Sequence, residues 1–180
     1  MSAAGISVVL KWAGAEGEPD IPGQVDSLRT MAGLGESDKV VLYAGNIGRA
    51  QNLIALLPAL VDPAVGQTGL KLLLMGDGVE RAEIEAEVRR LQLENVVLLP
   101  PVPRAVVRRL VAQADALLVH LRSDPLFSIT VPSKVQSYLY AGGPIIAGLT
   151  GDARTILERA NSALFFEPSD SDGFRRAPAG

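Results

Sequence analysis

Four short stretches of this 180-residue chain carry residue types suited to holding an anion or a sugar. In YAGNIGRAQN, residues 43–52, the glycines Gly45 and Gly48 bracket Asn46 and are followed by Arg49 and Gln51. Glycines let backbone amides approach a ligand closely, and a helix opening just after them favours negative charge. An ordinary strand-to-helix turn would use the same residues. In MGDGVE, residues 75–80, Gly76 and Gly78 flank Asp77, which offers either backbone approach to a ligand or a cap for the next helix. PPVPR, residues 100–104, sets Val102 and Pro103 in a stiff apolar loop, suited to the flat face of a base or to a rigid connection.

The fourth stretch, PLFSITVPSKVQSYLYAGGP at 125–144, holds the most chemistry. Phe127, Ser128, Ile129 and Thr130 lead through Pro132 to Ser133 and Lys134 at the start of a helix. Free amides, hydroxyls and an ammonium then gather in one place, a combination that suits a diphosphate. The plainer reading makes the hydroxyls helix caps and leaves the lysine in water. His120, the single histidine, ends an apolar run and reads as a polar residue at a strand's rim.

Composition narrows the chemistry further. There is no cysteine and one histidine, so thiolate and histidine-rich metal sites are excluded. A net charge of -3 and a pI near 5.2 argue against a nucleic-acid surface. No apolar run approaches the ~20 residues that span a bilayer, and the first residues lack a signal-peptide succession. A soluble, cytoplasmic protein is expected.

The elements that must position these stretches alternate along the chain. Apolar runs at 39–44, 70–76, 95–100, 114–121, 143–148 and 163–167 read as strands buried on both faces. Segments of helical period at 50–60, 80–91, 104–113, 132–140 and 153–159 separate them. This pattern predicts an α/β fold, a Rossmann-like three-layer α/β/α sandwich around a mostly parallel sheet, with ligands beyond the carboxyl ends of the strands. Residues 25–168 form that domain. Residues 1–24 hold an isolated strand at 6–13 and a Gly/Pro-rich linker, and 169–180 reads as an irregular tail.

In order, YAGNIG, MGDGVE, NVVLLPPVPR, ADALLVHL and DPLFSITVPSKVQSYLYAGGPIIA resemble the C-terminal, donor-binding half of group 1 retaining glycosyltransferases of GT-B fold. The similarity is nearest to bacterial polysaccharide enzymes of the L-fucosamine transferase type, which share a YxGNIG turn and a DPLFSI-x-PSK loop. It spans roughly residues 6–168, with ISVVLKWA resembling the strand before the crossing between domains. The resemblance implies a nucleotide diphosphate sugar as donor substrate, retention of configuration, and neither a metal nor another cofactor. The partner of this half is an N-terminal acceptor-binding domain outside this chain, and the whole enzyme would lie peripherally at the inner face of a membrane.

Carried over position by position, Gly45, Asn46 and Gly48 would approach the diphosphate and sugar, with Gly76 and Asp77 beside them. Val102 and Pro103 would border the base, and Phe127 to Lys134 would line the sugar and phosphates. Arg49 and Lys134 would be the catalytic cations, because the wider family's phosphate-binding Lys is Gln51 here. The family's pair of glutamates falls on Ile129 and Ser137, so both carboxylates are replaced. Two other functions stay open: a degenerate nucleotide- or protein-binding module without catalysis, and an enzyme like the nucleotide-sugar 2-epimerases.

Overall fold

Each apolar run forms a strand in the structure, a computed structural model that describes residues 27–176. The strand at 6–13 and the linker expected in 1–24 lie outside the described residues. The six strands are β1 (Lys39–Ala44), β2 (Leu70–Met75), β3 (Val96–Leu99), β4 (Ala116–His120), β5 (Ile145–Gly148) and β6 (Ala163–Phe166). All pair in parallel, in the order β3-β2-β1-β4-β5-β6. Chain direction across the sheet therefore reverses between β1 and β4, and a crevice opens at their carboxyl ends.

Alternation along the strands feeds two apolar layers. Leu42, Leu73, Val119 and Ala147 face one side, where they meet Leu28 of α1 (Leu28–Ala32), Leu110 of α4 (Arg104–Val111), Val135 and Tyr138 of α6 (Ser133–Ala141) and Leu157 of α7 (Gly151–Ala160). Val41, Tyr43, Leu72, Leu74 and Ile146 face the other, against a 3-10 helix at Leu53–Leu60 and Ile84 of α3 (Arg81–Arg90). The expected sandwich is thus present, and the sheet is wholly parallel among the described residues. No helix among them is long and apolar enough to cross a membrane.

Three local expectations are corrected. The helix anticipated over 50–60 is a 3-10 helix that starts at Leu53, because residues 48–52 are spent on a turn and Asn52 sits in the left-handed region at φ 47. Pro58 inside it cannot donate the bond an α-helix needs there. The chain then adds α2 (Pro63–Gln67), capped by Asp62.

The tail expected to be irregular contains α8 (Ser171–Arg176). Its Phe174 is fully buried and tilted 54° against Phe166, while Arg175 pairs with Asp62. One aromatic and one ion pair hold a segment too short to show periodicity. The loop before Lys134 likewise contains a single helical turn, α5 (Pro125–Ser128), capped by the Asp124 carboxylate at Leu126 N.

Candidate functional site

At the crevice between β1 and β4, Lys134 reaches across the end of β1. It stands on α6, on one side of the sheet, yet its ammonium lies 4.3 Å from the centroid of the Tyr43 ring, which faces the other side. The crossing point is Gly45, at φ +138, where a Cβ would stand 2.3 Å from Lys134 Nζ. Any side chain there would displace the lysine. The ring's negative face attracts the ammonium, and no carboxylate among the described residues offsets its burial. Lys134 is accordingly depressed to a pKa of about 8, through desolvation.

The tyrosines on either side of the β1 end fix this arrangement. Tyr43 Oη donates to the carbonyl of Asn46, holding the turn down on its own strand. Tyr138, one helical turn beyond Lys134, accepts from Ala44 N at 3.0 Å. Burial raises both phenols above their usual range, so both stay neutral.

The turn itself is closed by Gln51. Its Oε1 accepts from Gly48 N at 3.2 Å and from Asn46 Nδ2 at 3.4 Å, while its own N–H donates to the Gly48 carbonyl at 3.0 Å. From just past the end of β4, Arg122 N donates to the Ala50 carbonyl at 2.8 Å. His120 Nδ1 lies 2.6 Å from the Gln51 carbonyl, and Nε2 lies 3.2 Å from the Pro168 carbonyl. A neutral imidazole donates once, and the shorter contact assigns the proton to Nδ1. Burial lowers the His120 pKa, partly opposed by these two carbonyls. His120 is therefore a buried clamp stacked on Phe166 at 5.7 Å, and the expectation of a rim residue is corrected.

The family described as glycosyl transferases, group 1, matches residues 38–178. The chain belongs to the group 1 glycosyl transferases. It is 28% identical over 133 residues to WcaI of Escherichia coli (strain K12), assigned to colanic acid biosynthesis as a glycosyl transferase. That match covers 74% of this chain and 31% of WcaI, so the chain spans about a third of that relative's length.

Among solved structures, Anabaena Alr3699/HepE in complex with UDP and glucose superposes with a TM-score of 0.65 at 22% identity, covering 87% of this chain and 42% of HepE. A UDP-forming α,α-trehalose-phosphate synthase from Burkholderia xenovorans, in complex with glucose-6-phosphate, gives 0.69 at 18% identity, over 88% of this chain and 38% of the synthase. At these identities the likeness carries the fold alone.

Within this group 1 domain, the remaining candidate residues separate into two sets. Gly45, Asn46, Gly48, Gln51 and Lys134 converge on one turn, with Arg49 exposed beside them. Gly76 and Gly78 serve that turn from behind: a Cβ on Gly76 would lie 1.9 Å from the Gly45 carbonyl oxygen, and one on Gly78 would lie 2.3 Å from that of Ile47. The Asp77 carbonyl accepts from Ile47 N at 2.8 Å, and its side chain accepts from Gly78 N rather than capping α3. Packing between two turns accounts for the second glycine motif.

Val102 packs half-buried against the core, and Pro103 ends the loop after edge strand β3, separated from β1 by β2. Phe127 is also half-buried. Ser128 Oγ and Thr130 Oγ1 donate to the carbonyls of Pro125 and Phe127, so neither caps α6. Ser133 is exposed, and Ile129 is 70% exposed. Ser137 Oγ donates to the Ser133 carbonyl at 3.1 Å, a bond within its own helix. Sequence reasoning missed Tyr43 and Tyr138; the Lys-x-x-x-Tyr spacing, which sets both side chains on one helix face, was the available signal.

Lys134→Met removes an unpaired, desolvated charge, so it will raise the melting temperature of the unliganded chain at pH 7. The folded-state pKa of about 8 lies below the ordinary lysine value of 10.5, so the penalty is full below pH 8 and fades as pH rises towards 10.5. Thermal melts of both chains between pH 7 and 10.5 should converge; a constant gap, or a less stable variant at pH 7, contradicts the assignment.

Proposed function

We propose that this chain is the donor-binding part of a retaining glycosyltransferase. It takes a sugar from a nucleoside diphosphate sugar and passes it to a bacterial surface polysaccharide or a lipid-linked acceptor, supplied with an acceptor-binding domain outside this chain. One observation carries the reading: at the strand-reversal crevice, an ammonium with no carboxylate partner among the described residues rests on a glycine turn where any side chain would displace it.

In this reaction the bond from the anomeric carbon to the diphosphate oxygen breaks, and a bond to an acceptor oxygen forms on the same face. Negative charge grows on the departing diphosphate. Fixed donors aimed at such charge lower the barrier most where water is scarce. Lys134 would set a positive charge against the diphosphate, with the exposed Arg49 as a second cation and the turn amides as donors. No metal is invoked. The UDP bound by HepE makes uridine diphosphate the probe of choice, and the absence of cysteine suits a cytoplasmic setting.

Calorimetric titration of the whole chain with UDP tests this directly. Bound diphosphate restores the lysine's charge, so above pH 8 binding must take up a proton, and affinity should fall by up to about tenfold per pH unit. Between pH 7 and 8 it should change little. Absence of UDP binding at millimolar concentration would defeat the reading.

A non-catalytic nucleotide-binding module is the second reading, favoured by Ile129 and Ser137 at the family's two glutamate positions. A serine already bonded within its helix cannot match a carboxylate's grip on ribose hydroxyls. Ser137→Glu should therefore tighten UDP binding by about 1–3 kcal/mol; an unchanged affinity removes Ser137 from the ribose site.

A further inference from the structure

The donors of the glycine turn are already engaged by the protein itself. Gln51 Oε1 accepts from both Gly48 N and Asn46 Nδ2, at 3.2 and 3.4 Å. The space is tight: a Cβ on Gly48 would come within 2.6 Å of Asn46 Nδ2 and 3.0 Å of Gln51 Oε1. The main chain of Gln51 is pinned from two sides, by its own N–H to Gly48 and by His120 at its carbonyl. Among the described residues its carboxamide is held by two long bonds, one at the limit of the usual range for an amide donor and one beyond it. A half-buried side chain on a fixed backbone can therefore leave without moving the turn.

A carboxamide oxygen and a phosphate oxygen make the same demand on an amide donor, and the phosphate adds charge. We infer that the Gln51 carboxamide competes with a phosphate oxygen of a nucleoside diphosphate for the Gly48 amide, and swings out to admit it. Gln51 is then an affinity-setting residue whose presence weakens donor binding. This rests on the nucleotide-sugar reading, yet it differs from a direct ligand role in the sign of its effect: a Gln51 that donated its own Nε2 to phosphate would strengthen binding.

The experiment titrates UDP, and separately uridine, into the full chain and into its Gln51→Ala variant. Relieving competition for one hydrogen bond should tighten UDP by roughly two- to tenfold and leave uridine unchanged. Gln51→Met, which keeps the length but loses the carbonyl oxygen, should behave as Gln51→Ala does and covers the case of a poorly folded alanine variant. Gln51→Glu, with a charged competitor in the same place, should weaken UDP binding. Equal or weaker UDP binding by Gln51→Ala and Gln51→Met overturns the inference, as does an equal gain for uridine, which would mean a general change in the turn. If the unaltered chain binds no UDP at millimolar concentration, the nucleotide reading fails first and this inference with it.

Discussion

The absence of a side chain at Gly45 is the constraint on which the site depends. It lets the ammonium of Lys134 cross the end of β1 and settle on the Tyr43 ring, joining a helix on one side of the sheet to an aromatic ring on the other. The rest of the local structure defends that crossing. Gly76 and Gly78 leave room for the carbonyls of Gly45 and Ile47, Tyr138 holds Ala44, and the Tyr43 hydroxyl holds Asn46. Each of these residues is small, neutral or locally bonded, so none of them neutralises the lysine. A half-buried ammonium on an aromatic face is a poor arrangement for stability and a good one for meeting an anion.

Strand order explains why this happens at β1 and not at another strand end. Parallel strands all aim their carboxyl ends to one edge, but only between β1 and β4 do successive connections depart in opposite directions. There the turn after β1 is braced by β4 through Arg122 and His120. His120 also touches the carbonyl of Pro168, just ahead of α8, so the glycine turn and the end of the described chain meet at one buried ring. The turn is held by its backbone, Tyr43 and His120, and its Gly48 amide is closed by the Gln51 side chain.

The sheet was legible in the sequence because fully buried parallel strands are continuous apolar runs, as KVVLYA and LKLLLM show. The glycine turn and the PSK loop were legible as separate anion-suited stretches, and their family resemblance agrees with the match over residues 38–178. What joins them was not. Lys134 meets Tyr43 across the sheet, and no local pattern encodes such a contact. The helix expected at Ala50 gave way to a turn and a 3-10 helix, since Pro58 and the left-handed Asn52 override apolar spacing. α8 escaped notice because a single buried Phe174 anchors it. MGDGVE carries the opposite lesson: glycines that resembled a ligand contact are explained by the backbone packed against them.

The central claim is that Lys134 is the group that meets a diphosphate over Gly45. Side-chain NMR of Lys134, titrated from pH 6.5 to 11 in the full chain with and without saturating UDP, measures this at the residue itself. The account predicts a free pKa near 8 that moves up by about a unit or more when the anion binds. A Lys134 that titrates at the same pH in both states, while UDP is bound, would show that the diphosphate sits elsewhere and would contradict the account.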